Sequence, residues 1–183
     1  MAMDHFLEEV VVKHNNTFNR IVYYLSWVVL VLSALTAMWG LNIFLASITT
    51  GFDPISLVFT IVSGGIAVYT FLFHDKLLTE YEYTFTNGAL DFAEVYNNKK
   101  RKSLGSLNVR TVDAFGKVAS GSFQRYLNMQ NVKRMNWFLN RDAELYYFFF
   151  SKDGNKKMII CEPSEEMVSY IKQYLPRGIY QEN

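Results

Sequence analysis

Charge is missing from two long stretches of this chain. No Asp, Glu, Lys, Arg or His occurs from Ile21 through Phe52, and after Asp53-Pro54 none occurs again from Ile55 to Phe73. So complete an absence excludes two ordinary solvated surfaces. At 1.5 Å rise per residue, Ile21 to Ile48 spans about 42 Å as helix and Ile55 to Phe73 about 28 Å, against a hydrocarbon core about 30 Å thick. Both are long enough to cross a bilayer. The six residues Thr49 to Pro54 can turn a helical hairpin but cannot form a domain, so both ends of the hairpin are expected on one side, with all soluble parts in one compartment.

Other scarcities narrow the chemistry. A single cysteine, Cys161, excludes an intrachain disulfide and agrees with a reducing compartment. Only three histidines occur, His5, His14 and His74, all expected outside the folded domain, and no zinc-ligand spacing can be written with them. Gly-rich phosphate loops and nucleophile elbows are absent. Lys152-Asp153-Gly154-Asn155 lacks the spaced carboxylates of a calcium loop and reads as a hairpin turn. No pair of acids suggests acid–base work, so neither enzymatic activity nor a cofactor nor a metal is expected. The hairpin holds no ionisable side chain at mid-depth, its one deep amide being Asn42, which disfavours transport by a single chain. The net charge of +1, from 18 basic and 17 acidic residues, gives no basic excess for nucleic acid.

The charges that are present set orientation. Lys13 and Arg20 precede the first apolar stretch, Lys76 and Lys99-Lys100-Arg101-Lys102 follow the second, and the connecting loop has neither Lys nor Arg. Positive charge on the cytoplasmic side then predicts a multi-pass protein of the cytoplasmic membrane with both termini cytoplasmic. Tyr23, Tyr24 and Trp27, with Tyr69, Phe71 and Phe73, suit an aromatic belt at that face. The first stretch far exceeds a signal-peptide core of about 7–15 residues, so an uncleaved anchor is expected.

Small side chains line each helix: Ser26, Ser33, Ala37 and Gly40 in the first, and Ser56, Thr60, Ser63, Ala67 and Thr70 in the second. Small residues let helix backbones approach closely in lipid, so Ser33, Ala37, Gly40, Ser56, Thr60, Ser63 and Ala67 are candidate packing positions, within the hairpin or between copies of a homo-oligomer. Three regions are therefore expected: an N-terminal segment 1–20, a hairpin 21–75 with helices near 21–48 and 55–73, and a soluble domain 76–183. In the first, Asp4 could cap a short amphipathic helix carrying Phe6, Leu7, Val10 and Val11.

In the soluble domain Tyr81, Tyr83 and Phe85 alternate with polar residues, Asn87-Gly88 interrupts, and Leu90 and Phe92 resume. Asn-Gly between two alternating runs is a strong hairpin signal, since both turn positions need positive φ. A third strand is expected around Leu104–Asp113, after a polar turn at 97–102. Between Gly116 and Asn131 a short strand and an irregular loop remain open. Strands are read at Val132–Leu139, Glu144–Ser151 and Met158–Glu162. The five aromatics Tyr146 to Phe150 must project to both sheet faces, so both are covered or one meets the bilayer or a partner. Pro163-Ser164-Glu165-Glu166 starts a final helix with Met167, Ile171, Tyr174 and Leu175 on one face, and Pro176 ends it.

The run Tyr81-Glu82-Tyr83-Thr84-Phe85-Thr86-Asn87-Gly88-Ala89-Leu90-Asp91, the basic Asn98-Lys99-Lys100-Arg101-Lys102 and Glu162-Pro163-Ser164-Glu165-Glu166-Met167 resemble a family of small uncharacterised bacterial membrane proteins, with two transmembrane helices followed by a PH-like domain. The resemblance implies a transmembrane hairpin plus an α+β cytoplasmic domain, a PH-like antiparallel β-barrel or sandwich closed by a C-terminal helix. It implies no catalytic residue.

Three functions stay open at this point. The foremost is a non-enzymatic adaptor in the lipid bilayer whose domain binds an unidentified protein partner. A second is a binder of anionic lipid through Lys99, Lys100, Arg101 and Lys102, which otherwise form a solvated hairpin tip. In PH domains that bind inositol phosphates the basic motif centres on the turn between the first two strands, read here as Thr86-Asn87-Gly88 without a basic residue, so contact with acidic lipid is expected to be non-specific. The third is a subunit of a membrane complex or an oligomeric conduit.

Overall fold

The computed structural model describes residues 5–181, which divide into two compact units, residues 15–79 and a second built from the N-terminal residues to His14 together with Glu80 onward.

The first unit is a helical hairpin. Helix α1 spans Thr17–Thr50 and α2 spans Pro54–Phe73, each long and apolar enough to cross a membrane. The chain reverses at Gly51, whose φ of 143° suits a residue without Cβ, and Asp53 caps α2 by accepting from the Ile55 amide at 3.0 Å, with Pro54 at the first helical position. A one-turn 3-10 helix, His74–Leu78, follows. His74 is buried there, its ring between Tyr23 and Trp27 of α1.

The second unit is a two-sheet α+β domain, and its first strand corrects the sequence reading. Residues Phe6–Val11 form strand β1 rather than an amphipathic helix, pairing antiparallel with β2 (Thr79–Thr86) in the register Phe6↔Thr86 to Val11↔Tyr81. Asp4, the proposed helix cap, lies outside the described residues. The inward positions of β1 are Leu7, Glu9 and Val11; a glutamate in that row hides the two-residue alternation, and the partner strand lies beyond both helices. His5 and His14 consequently belong to the domain, contrary to expectation. His5 stacks on Tyr170 at 5.1 Å and its Nδ1 lies 3.0 Å from the Tyr174 hydroxyl.

Sheet A has the order β1-β2-β3-β4, with β3 at Ala89–Tyr96 and β4 at Lys100–Asn108. Asn87 and Gly88 both take positive φ (50° and 96°) in the turn, as do Asn97 and Asn98 (49° and 53°) between β3 and β4. Sheet B has the order β6-β8-β7-β5-β9, with β5 at Ala114–Lys117, β6 at Val132–Trp137, β7 at Tyr146–Lys152, β8 at Asn155–Cys161 and β9 at Tyr180–Gln181. The sheets are separate and open, so the closed-barrel expectation is replaced by a sandwich. Sheet B is also mixed: β6 runs parallel to β8, and β9 parallel to β5. A helix, α3 (Gly121–Leu127), occupies the stretch left open between strand and loop, and carries the chain from β5 to the far side of β8.

Both faces of β7 are covered. Tyr146, Phe148 and Phe150 join the inter-sheet core with Tyr83, Phe85, Phe92 and Ile159, whereas Tyr147 and Phe149 pack under Phe123 and Tyr126 of α3. Each such burial contributes about 1.5–3 kcal/mol. The last helix, α4 (Glu165–Tyr174), sends Met167, Val168 and Ile171 into the inter-sheet core, and Ser164 caps it by accepting from the Met167 amide at 3.2 Å.

Candidate functional site

The basic tetrad does not form a turn. Only Lys99 lies in the connection; Lys100, Arg101 and Lys102 begin β4, where Lys100 faces Tyr96, Arg101 faces Val95 and Lys102 faces Glu94. The polar run 97–102 reads as a loop because its strand residues are charged, yet the Asn97-Asn98 turn sets the hairpin earlier. Arg101 is the staple of the outer face of sheet A. Its guanidinium reaches past β3 to Glu82 on β2, with Nε 2.7 Å from Oε2, and to Glu8 on β1 at 3.4 Å. Glu82 is 7% exposed, so its carboxylate relies on that partner. Lys102 lies 3.9 Å from Glu94. Arg101 and Lys102 are thus matched by carboxylates within the domain.

The small residues of the hairpin helices occupy its interior. Ser33, Gly40 and Ser47 of α1 and Ser56 and Ser63 of α2 are buried, with Ala37, Thr60 and Ala67 half-buried. A Cβ at Gly40 would lie 2.6 Å from Thr60 Oγ1, and one at Gly64 would meet the Ala37 methyl at 3.9 Å. The serine and threonine hydroxyls return to helix carbonyls, as in Ser63 to Phe59 at 2.7 Å and Thr60 to Ser56 at 2.8 Å.

A polar cluster that the sequence did not reveal surrounds the start of α4. Both carboxylate oxygens of Glu9, on β1, accept from the Ser164 amide at 3.1 Å, so one end of the chain caps a helix near the other. Burial pushes the Glu9 carboxyl above its usual range, against the opposing effect of the Ser164 bonds. Glu162 accepts from the Asn140 amide at 3.1 Å and from Asn140 Nδ2 at 2.8 Å. The buried Asn140 side chain in turn donates to the Val12 carbonyl at 2.9 Å and accepts from the His14 amide at 2.8 Å. Asn140 therefore holds the chain leaving β1 as a neighbouring strand would. A cleft of about 470 Å³ opens here, walled by Val11, His14, Glu144, Glu162 and Glu165. The Asp142 carboxyl is held low by its own backbone amide and by His14, and Glu144 is held low by Lys117 and the Tyr146 hydroxyl.

These groups are engaged in holding the fold. Tyr83 donates to the Trp137 carbonyl and accepts from the Glu162 amide at 3.3 Å, joining the two sheets, and burial pushes its phenol up. Burial likewise raises the Cys161 thiol, which disfavours a thiolate nucleophile there. Among the described residues no cluster of three or more His, Cys, Asp or Glu is placed to hold a metal ion.

The chain matches a known family over nearly its whole length. A family model described as a bacterial PH-like domain (DUF6106) matches residues 3–181, from β1 to β9. The chain belongs to that family. No curated protein and no solved structure matches it.

Proposed function

We propose that this member of the bacterial PH-like family is a non-enzymatic, membrane-anchored adaptor whose domain binds a protein partner at the cytoplasmic face of the membrane. The observation that carries this reading is the pairing of β1 with β2 across the apolar hairpin. One sheet contains the strand before the helices and the strand after them, so a bilayer-spanning hairpin has both ends on the domain's side. The chain passes between the two units at His14–Asn15 and at Thr79–Glu80. Lys13, Arg20 and Lys76 flank the helices there, whereas the loop between them carries no Lys or Arg, which supports a cytoplasmic domain. The use of Glu9, Glu82, Glu162 and Arg101 in structural pairing favours recognition over catalysis.

Two experiments test the reading. In a Cys161→Ser background, a cysteine at Gly51 should react with a membrane-impermeant maleimide on intact cells, and one at Asn98 only after permeabilisation; the reverse pattern rejects the topology. Photo-crosslinking from the domain surface of the intact protein in native membranes should recover a defined protein adduct. Adducts to lipid alone would remove the adaptor role.

A second reading, contact with anionic head groups, has a narrower basis. The two-residue turn at Asn87-Gly88 brings the Thr79–Tyr81 end of β2 beside the Glu94–Tyr96 end of β3, and Tyr96 faces Lys100. Lys99 and Lys100 therefore stand at the end of sheet A where the chain leaves for the helices and returns. The first two strands are also joined by the whole hairpin, with Lys13, Arg20 and Lys76, rather than by Thr86-Asn87-Gly88. Each exposed Lys near an acidic surface adds about 1 kcal/mol of attraction. In nanodiscs of the intact chain, amides 96–101 should exchange more slowly in anionic than in neutral lipid, and Lys99→Gln with Lys100→Gln should abolish the difference. Equal exchange in both lipids rejects this contact.

A further inference from the structure

Sheet A ends at β4 and sheet B ends at β6, and each of these strands has a hydrogen-bonded neighbour on one side only. Between the sheets a cleft of about 150 Å³ is lined by Leu104, Met135, Trp137, Phe150 and Ile159, with Lys152 and Lys157 also on its wall. Its floor is apolar and its rim is cationic. A third lysine belongs with these two. Lys133 is the Cα partner of Lys157 in the parallel β6–β8 ladder, and it shares the strand face of Met135 and Trp137, which pack into the inter-sheet core. By the same alternation Lys152 shares the face of Phe148 and Phe150.

None of Lys133, Lys152 and Lys157 enters an ion pair among the described residues. The acid closest in sequence is Asp153, exposed at the β7–β8 turn, while Asp113 accepts from Ser151 at 3.1 Å. Elsewhere in the domain Arg101, Lys102 and Lys117 each have a carboxylate partner. Three uncompensated cations around an apolar opening constitute a site complementary to an anion with an apolar point.

We propose that this seam receives an acidic peptide segment of the partner protein, one aliphatic side chain entering the cleft while carboxylates on either side meet Lys133, Lys152 and Lys157. The proposal rests on the adaptor reading and specifies the chemistry of the partner. Size favours a peptide over a lipid: at about 30 Å³ per water molecule the cleft displaces roughly five waters, the bulk of one aliphatic side chain and far less than an acyl chain. The single-neighbour strands β4 and β6 also offer backbone donors and acceptors to an extended segment, a recognition mode in which ladder bonds supply affinity and a side-chain pocket supplies choice. Attraction between exposed charges falls with salt, so such binding is salt-sensitive.

The test pans a random heptapeptide display library on the full-length protein in phosphatidylcholine nanodiscs, with the wild type and a Lys133→Glu, Lys152→Glu, Lys157→Glu variant. The wild type should enrich peptides with several Asp or Glu around one Leu, Ile, Val or Met. The best of these, synthesised, should bind the variant at least about tenfold more weakly and lose affinity as salt rises. A triple Lys→Gln variant, checked for unchanged circular dichroism, should show an intermediate loss. Enrichment without acidic bias, or equal binding to wild type and variant, overturns the seam while leaving a peptide-binding adaptor. No enrichment at all overturns the proposal, and the adaptor role is then decided by the crosslinks. Lysine-dependent binding to phosphatidylglycerol vesicles with no peptide selected assigns the seam to a membrane surface and also overturns it.

Discussion

Val11 and Tyr81 are Cα partners in one antiparallel ladder although both long helices lie between them in the chain. The domain is therefore discontinuous in sequence, and a fragment beginning at Glu80 lacks its first strand. Removing residues 5–11 leaves β2 as an open edge and uncovers the core beside the buried Val11. Fragments starting at Glu80 are expected to aggregate or to show markedly faster amide exchange throughout β2, and addition of a peptide carrying residues 1–14 should restore protection.

Arg101 and Glu82 form the pair whose disruption should be most visible. Arg101→Met leaves a nearly buried carboxylate without its partner and is expected to cost about 1–3 kcal/mol. Combined with Glu82→Leu, it should recover most of that loss. Lys100→Met, at an exposed neighbouring position, should change stability by less than about 0.5 kcal/mol. Exchange rates of β2 and β3 amides measure all three.

Glu9 gives a dependence on pH whose sign is fixed. Burial raises its carboxyl pKa above the ordinary 4.5, so the folded state holds this proton more tightly than the unfolded state does. Its contribution to stability falls as pH rises from about 4.5 through the folded value, and stays lowered above it. Glu9→Gln keeps an oxygen for the Ser164 amide without the charge. The variant should be more stable than the wild type at neutral pH, with the difference fading below about pH 4.5 in thermal melts.

Gly40 is a close approach between the two long helices. An added Cβ would meet Thr60 Oγ1 at 2.6 Å and Phe59 Cδ1 at 3.1 Å, whereas a Cβ at Gly65 meets nothing within 4 Å. Gly40→Ala should lower the melting temperature of the detergent-solubilised protein and Gly65→Ala should not. If Gly40→Ala instead changes particle size on a sizing column without altering the melt, that glycine packs between chains.

Phe149 lies 4.7 Å from Tyr126 between ring centroids, beneath α3. Phe149→Ala should cost about 3–5 kcal/mol. Tyr126→Ala should expose Phe149 and loosen α3 first, seen as faster exchange at 121–127 before β7.

The parts legible in the sequence are those with local causes. Uncharged runs gave the two helices, Asn87-Gly88 gave the β2–β3 turn, and Pro163-Ser164-Glu165-Glu166 gave the start of α4. What escaped was set by distant partners. Glu9 reads as a solvent-facing residue until the Ser164 amide, at the other end of the chain, occupies its carboxylate. The seven residues of α3 offer only Phe123, Tyr126 and Leu127 as apolar side chains, too short a helix to hold by itself, and it forms over the Tyr147 and Phe149 face of β7. The β7–β8 hairpin already brings Lys152 near Lys157, and only the parallel β6–β8 register adds Lys133 to them.

The discontinuous sheet also imposes an order of events on synthesis. A ribosome delivers β1 first and its neighbour β2 only after both long helices, so β1 must wait unpaired with the core residues Leu7 and Val11 uncovered. Closing so long a loop in a free chain costs about 4 kcal/mol, against about 2 kcal/mol for a loop of roughly ten residues. A hairpin already settled in lipid brings its two ends together and leaves only residues 12–16 and 74–78 to be ordered. On the membrane-anchored reading proposed above, insertion of the helices becomes the step that licenses completion of the domain, and a chain that fails to insert carries an unfinished sheet for quality control to recognise.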